Sequence, residues 1–391
     1  MSKEFEYIFN FLGGEISYKR LDEVAEVKAG ERITTAMMND SFEYNVIGGG
    51  VVPTGKYSKY NKEKCITVSR AGSAGFVNWQ ENKFWATDVC FTISSNTERI
   101  SNKFLYYYLK NNELDLKSHI YGGSMPKLDK KYLCGFKIPI VPEEYQEKVV
   151  SFLDRIVLLN KTLTNELEER KKELNYLKNI LIEKQDYEKI PIGKLFAFKN
   201  GINKDKDSFG HGNKIINYVD VYKNLKLTDE MIEGLVDTSN NDLERYSCLQ
   251  GDVFFTRTSE TRDEVGMSSV LIEKIDDCVF SGFLLRGRPI TDLLLPEYCA
   301  YCFSTDRVRN EIVNKSNFTT RATTTGLILS KISISVPSID EQKKIAKMLD
   351  SIYSLVSDKK IGIPAEIELR RKQYEYYRNK LLSFEELSVS E

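Results

Sequence analysis

Two short arginine-bearing segments carry the side chains best placed to read another molecule. "SRAGSAG" (Ser69 to Gly75) follows the apolar, strand-like "CITV", and "FFTRTSETRDEVG" (Phe254 to Gly266) sits similarly in an apolar strand pattern. A loop of small polar residues at a strand end can enter a DNA groove. The planar fork of an arginine matches O6 and N7 of guanine, the commonest specific base contact. Arg70 and Ser73 in the first segment, and Arg257, Thr258, Ser259 and Arg262 in the second, are therefore candidate contacts to double-stranded DNA. The same composition also suits a solvated surface loop, so the segments need support from the rest of the chain.

Part of that support is their recurrence with a second kind of segment. "YGGSMPKLDKK" (Tyr121 to Lys131) and "NFTTRATTTG" (Asn317 to Gly326) each lie just before a short strand-like stretch. Both mix glycine, hydroxyl and basic residues, which suits phosphate contacts that set register without reading sequence. Ser124, Lys127 and Lys130 are the candidates in the first, and Thr320, Arg321 and Thr323 in the second. Lys56, Lys59, Lys62 and Lys64 interleave with Tyr57 and Tyr60, a pattern suited to a backbone-binding face.

Signals for catalysis fail. "GVVPTGKY" (Gly50 to Tyr57) nearly matches a phosphate-binding loop, but Tyr57 stands where Ser or Thr must ligate magnesium. Cys299 and Cys302 form a lone C-x-x-C without a second pair, and the chain holds 2 histidines, so no metal site is expected. No Asn/Asp-Pro-Pro-Tyr/Phe string and no G-x-S-x-G occurs. No catalytic residue is assigned.

The bulk composition is that of a folded, reduced, cytoplasmic protein. The 391 residues suffice for two or three domains, with 41% hydrophobic and 29% charged residues. No apolar run is long enough for a membrane span, and "MSKEFEYIFNFL" does not read as a secretory signal. Seven cysteines at irregular spacing fit free thiols better than a disulfide framework. A net charge of -1 gives no global sign of nucleic acid, so any attraction must be local.

The elements that would position these loops are written twice. "VPEEYQEKVVSFLDRI" (Val141 to Ile156) and "VPSIDEQKKIAKMLDSI" (Val336 to Ile352) share a Val-Pro stop, a glutamine and an apolar-periodic run through Leu-Asp. Each follows a short strand pattern, "FKIPIVP" or "ISISVP". "LDEVAEVKAG" (Leu21 to Gly30) matches "IGKLFAFKNG" (Ile192 to Gly201) in apolar pattern and Lys-x-Gly ending. "YKRL" at Tyr18 parallels "YEKI" at Tyr187. "YIFNFL" (Tyr7 to Leu12) repeats the Tyr-x-x-Asn-x-Leu of "YLKNIL" and "YYRNKL" at the two helix ends, which suggests a pseudo-twofold arrangement. The period is domain-sized, far beyond the units of a solenoid.

The helical parts carry a coiled-coil seam. Val149, Leu153, Ile156, Asn160, Leu163, Leu167, Arg170, Leu174, Leu177 and Leu181 follow 4-3 spacing, with Asn160 and Arg170 as polar interruptions. Ile345, Leu349, Ile352 and Val356 sit 196 positions after the first four. Ile367, Arg370, Tyr374, Tyr377 and Leu381 sit 200 after Leu167, Arg170, Leu174, Leu177 and Leu181. The four extra residues fall at "IGIPAE", where Gly362 and Pro364 should break the helix; a four-residue insertion restores the seam beyond it. The two helices are built to pack on each other, and the first seam would span roughly 50 Å at about 1.5 Å per residue.

"PAEIELRRKQYEYYRNKLLSF" (Pro364 to Phe384), the paired "P…Q…I…LD" helix starts and the duplicated layout together resemble the specificity subunits of Type I restriction–modification systems. The first helix departs from the pattern by carrying "TLTNELEER" in place of the Pro-Ala-Glu break. The resemblance implies two methyltransferase subunits and two ATP-driven restriction subunits as partners. S-adenosylmethionine, ATP and magnesium would then sit on those partners and not on this chain.

The expected fold is α+β, with two β-rich target recognition domains in tandem and two long helices paired as an antiparallel coiled coil. Its divisions are 1–142 for the first recognition domain, 143–186 for the central helix, 187–337 for the second domain and 338–391 for the C-terminal helix. Two other readings fit the same layout: the specificity subunit of a fused nuclease–methyltransferase outside Type I, and a coiled-coil adaptor that binds proteins.

Overall fold

In the computed structural model, which describes residues 16–384, each recognition domain begins and ends on one two-stranded ribbon. Ser17–Arg20 runs antiparallel to Lys137–Ile140, with Tyr18 opposite Pro139. Lys189–Pro191 runs antiparallel to Ser333–Ser335, with Ile190 opposite Ile334. The two lead-ins thus meet the two strands that feed the helices. Among the described residues neither ribbon has a third strand, so their prolines cost no ladder bond to a further neighbour. The Tyr7 to Leu12 fragment lies outside the described residues.

A single helical turn follows each lead-in, Leu21–Val24 and Ile192–Lys194, and then a strand, Ala25–Ala29 and Phe196–Asn200. The repeated Lys-x-Gly ending has a steric cause. A Cβ on Gly30 would lie 2.2 Å from the Ala86 carbonyl oxygen, and one on Gly201 would lie 2.1 Å from that of Ser281. Only glycine lets the chain pass the neighbouring backbone there.

The first domain builds a four-stranded sheet in the order Ala25–Ala29, Cys90–Ser95, Cys65–Ser69, Val77–Gln80, beside a three-stranded one from Tyr44–Ile47, Gly55–Tyr57 and Phe84–Ala86. The second builds a five-stranded sheet in the order Phe196–Asn200, Leu284–Pro289, Val253–Thr256, Ser268–Leu271, Lys226–Leu227. Helix Asn102–Asn111 buries Phe104, Leu105 and Tyr107 in the first core with Phe91 and Ile93. Helix Pro296–Cys302 buries Tyr298 and Tyr301 in the second with Val253 and Phe255. Cys299 and Cys302 lie in that core as fully enclosed thiols.

The chain forms two compact units, one running to Thr164 and resuming at Glu366, the other spanning Asn165–Ala365. The division therefore falls within the helices and not at their ends, because each half-helix shares a core with a recognition domain. In the first unit Val149, Leu153 and Leu381 join the same apolar cluster. Phe152 meets Tyr377 edge-on at 5.2 Å, and the Tyr145 hydroxyl donates to the Leu381 carbonyl at 2.8 Å. Early residues of one helix face late residues of the other, so they run antiparallel. In the second unit Leu174, Leu177 and Leu181 pack around Ile345 and Leu349, and Lys184 meets Glu341 at 3.1 Å.

The central helix is unbroken over Glu143–Ile182, so the missing Pro-Ala-Glu motif there goes with a continuous helix. Along it Ile156, Asn160, Leu163, Leu167, Arg170, Leu174, Leu177 and Leu181 are half-buried. Residues 157–159, 164–166 and 171–173 between them are exposed, which is the burial a 4-3 seam predicts. The second copy is two helices, Ile339–Ser357 and Ile363–Leu382. Gly362 sits at the break, where a Cβ would come within 2.6 Å of the Asp358 carbonyl oxygen. Val356 is buried before it; Ile352, Ile367 and Tyr374 are half-buried.

The repeated glutamine and aspartate tie each helix to its domain. Gln146 donates from Nε2 to the carbonyls of Arg99 (2.7 Å) and Val141 (2.9 Å) and accepts from the Ser101 N–H (2.8 Å). Gln342 donates to Leu293 (2.8 Å) and Pro337 (2.9 Å) and accepts from the Leu295 N–H (2.9 Å). What is kept is the carbonyl five residues upstream, whether valine or proline supplies it. Asp154 accepts from the Tyr107 hydroxyl and Lys103, and Asp350 from the Tyr301 hydroxyl and Lys226. Burial, reinforced by the carboxylate, pushes both phenols far above their ordinary range.

Candidate nucleic-acid interface

Arg70 and Arg257 occupy the same backbone position in the two domains. The Arg70 N–H donates to the Val89 carbonyl and its own carbonyl accepts from the Leu128 N–H, at 2.9 and 2.8 Å. The Arg257 N–H donates to the Phe283 carbonyl and its carbonyl accepts from the Thr324 N–H, at 2.9 and 3.0 Å. Each loop then closes on a glycine in the left-handed region, Gly75 at φ +78° and Gly266 at φ +66°. In both cases that glycine's N–H bonds the carbonyl of the residue before the arginine, Ser69 or Thr256.

This geometry brings together segments the sequence separates widely. Ala71 bridges to Lys127, which lies in a hairpin with Tyr121. Thr258 pairs with Thr323, which lies in a hairpin with Asn317. Each candidate site is therefore an arginine loop flanked by one β-hairpin. The first hairpin exposes Ser124 and Lys127 and leads into Lys130, at the start of a short helix capped by Asp129. The second exposes Thr320 and Arg321 at its turn. Arg70 is exposed, Arg257 half-buried, and Arg262 exposed within the 3-10 turn Arg262–Glu264.

Ser259 departs from the expectation of a DNA contact. It is 6% exposed, and its hydroxyl accepts from the Thr261 N–H at 3.2 Å beside Glu264. That oxygen belongs to the loop's own network. Hydroxyls of Thr261 and Tyr222 hold the Glu264 carboxyl below its usual range. Thr258 and Thr323 are half-buried, Ser73 half-buried, and its N–H donates to the Gly49 carbonyl at 2.7 Å.

The lysine and tyrosine segment sits on the three-stranded sheet of the first domain. Lys56 and Lys59 are exposed, while Lys62 exchanges backbone bonds with Phe84. Tyr57 meets Trp85 edge-on at 5.0 Å, Tyr60 lies 5.1 Å from Tyr44, and the Lys83 ammonium stands 4.4 Å from the Tyr60 ring centre. The "GVVPTGKY" stretch is a loop entering the strand Gly55–Tyr57, and no helix follows it. Gly49, just before it, backs the Arg70 loop so closely that a Cβ would lie 2.0 Å from the Ala71 carbonyl oxygen.

Sequence reasoning missed Arg309. From helix Asp306–Lys315 its guanidinium donates to the carbonyls of Gly266, Asp263 (2.9 Å) and Val265 (2.9 Å), clamping the end of the Arg257 loop. Burial lowers it to about 10, still charged at neutral pH. "DRVRNE" reads as an ordinary charged helix face, and nothing in its spacing marks one arginine as turned inward.

The family model "Type I restriction modification DNA specificity domain" matches residues 14–169 and again 184–369. A type I specificity subunit of Mycoplasma pneumoniae, S.MpnORF507P, is 22% identical, covering 95% of this chain and 98% of its own length. The EcoR124I/EcoR124II specificity subunit of Escherichia coli is 25% identical over 72% of this chain and 70% of its own. The crystal structure of the S subunit of a Type I system from M. genitalium shares the fold, with a TM-score of 0.62, 14% identity and coverage of 96% of this chain and 98% of that one. With both of its domains matched, this chain belongs to the family of Type I restriction–modification DNA specificity proteins.

Proposed function

We propose that each domain reads part of an asymmetric, bipartite duplex site through its arginine loop and hairpin, and that the chain itself performs no chemistry. The observation that carries this is the pair Arg70 and Arg257: one backbone position, two arginines, two different loops around them. A shared frame with unlike loops is what two readers of unlike half-sites require. The arginines and Arg262 supply base-edge donors; Ser124, Lys127, Lys130, Thr320, Arg321 and the Lys56 to Lys62 face supply phosphate contacts.

The continuous helix Glu143–Ile182 acts as a spacer of about 60 Å at about 1.5 Å per residue. Two partner methyltransferase subunits then modify one adenine in each half-site after flipping it from the stack. They bind S-adenosylmethionine, and two restriction subunits use ATP and magnesium. A methylome of cells with and without this gene tests the reading. Loss of one bipartite adenine motif supports it, and an unchanged methylome in cells that express the partners sinks it. Removing four residues between Lys161 and Thr164 should change the preferred spacer and leave both half-sites intact.

A further inference from the structure

The second domain carries a cationic cluster at a place where the first, among the described residues, has a single lysine beside a glutamate, a threonine and a serine. On the five-stranded sheet Lys199 stands opposite Arg286, and Ala197 opposite Arg288. At the matching places in the first domain Lys28 stands opposite Thr92, and Glu26 opposite Ser94. Arg288 is spoken for: Nε and Nη2 grip both oxygens of the buried Asp252, at 2.8 and 2.6 Å. Arg286 is not. Its Nη1 holds the Ser247 carbonyl, but its Nε lies 4.0 Å from Asp252 and has no hydrogen-bond partner among the described residues, although the side chain is 8% exposed.

Two more cations converge on the same edge. The Lys199 ammonium and the Arg245 guanidinium each stand 5.5 Å from the ring centre of Tyr246, which adjoins Ser247. Arg245 is exposed and Lys199 half-buried. Burial, together with Arg286, Arg245 and Arg288, depresses the Lys199 ammonium below its ordinary range. Asp252, the carboxylate that faces the arginines, is shared: it holds Arg288 through both oxygens, accepts the Leu249 N–H at 2.8 Å and stands 4.0 Å from Arg286, so one negative charge faces two guanidiniums. An unmatched buried donor costs free energy until an acceptor completes it, and the crowded cations around it favour an acceptor that is an anion.

We propose that Lys199, Arg245 and Arg286 bind a phosphate-type oxyanion, and that its source is the DNA backbone beside the second half-site. Arg286 is two residues from Leu284, the partner of Thr256, so the cluster sits about 7 Å along the strand from the Arg257 loop. That is about two phosphate steps along one DNA strand, at roughly 3.4 Å of helix axis each. The proposal rests on the DNA-reading function above and adds a contact that only one of the two domains makes.

The test uses the full chain in the complex with which it purifies, and leaves Arg286 in place because it also holds Ser247. Duplex affinity is measured against salt for wild type, for Lys199→Ala with Arg245→Ala, and for Lys28→Ala as the first-domain control. The double variant should weaken cognate and unrelated duplexes by the same factor. Its slope of log affinity on log salt should shrink by about 0.9 for each phosphate no longer neutralised, and Lys28→Ala should leave the slope unchanged. An unchanged slope in the double variant, with wild-type binding intact, overturns the proposal and spares the DNA-reading function. Absence of salt-dependent duplex binding by wild type overturns that function. Melting in added pyrophosphate separates the sources: stabilisation of wild type but not of the double variant, with equal DNA slopes, shows a free-oxyanion site and removes the backbone assignment.

Discussion

The two recognition domains share a frame and differ in what the frame holds. In the first, the four residues Ala71 to Ala74 separate Arg70 from Gly75, and the loop leans on other backbone: Ser73 on Gly49, Ala71 on Lys127. In the second, the eight residues Thr258 to Val265 separate Arg257 from Gly266, and the loop adds a set of side-chain bonds to its backbone pairing of Thr258 with Thr323. Glu264 accepts from Thr261 and Tyr222 at 2.6 Å each, and Arg309 clamps three carbonyls. The short loop rests on neighbouring backbone, while the long one needs side chains from two neighbouring helices, Tyr222 and Arg309, besides its own Thr261 to keep it from staying loose. The duplicated parts fix where a loop begins and ends. The unlike parts decide what it can touch.

The largest expected effect tests the frame. Gln146→Leu should leave two buried carbonyls and one N–H without partners, at about 1 kcal/mol or more each, hence about 3 kcal/mol. Gln342→Leu should cost the same, read as a shift in the denaturant midpoint. Losses differing by more than about 2 kcal/mol would break the equivalence of the two frames.

Next comes the scaffold of the long loop. Arg309→Met keeps much of the side-chain volume but frees three carbonyls, so about 2 kcal/mol should be lost. Faster amide exchange should be confined to residues 258–266, and recognition should relax at the second half-site alone. Equal relaxation at both half-sites would show that Arg309 acts on global stability and not on its own loop.

How much of this could be read beforehand follows from where the information lies. Period-based features were legible: the 4-3 seam and the strands before Val141 and Val336 repeat along the chain, and the break at Gly362 and Pro364 shows as a four-residue shift in that repeat. Gln146 and Asp154 were visible as repeated letters, but their partners were not. Those partners are backbone carbonyls, which any residue supplies, and tyrosines on the distant helices Asn102–Asn111 and Pro296–Cys302. The candidate site was legible as composition only. That Arg70 meets Leu128, or that Ser259 is enclosed, depends on pairings between strands far apart in sequence, which no local spacing encodes.

A smaller effect concerns the two arginines. Arg70→Ala and Arg257→Ala should each lower discrimination at one base by about 1–3 kcal/mol, in different half-sites. Methylation of substituted duplexes by the assembled complex measures this. Relaxation by both variants in the same half-site would contradict two independent readers.

The smallest expected effect uses a matched pair in which the hairpins differ in charge. Lys127 and Thr323 hold equivalent places, each opposite the first residue after its arginine. Lys127 is exposed and Thr323 half-buried, so only the first can give a charged phosphate contact. Lys127→Ala should reduce the salt slope of duplex binding by about 0.9 without altering base preference. Thr323→Ala should leave the slope unchanged, since a neutral hydroxyl releases no counterion. A change of base preference from Lys127→Ala would show that the first hairpin reads bases as well as holding the backbone, and a slope change from Thr323→Ala would break the charge difference between the two hairpins.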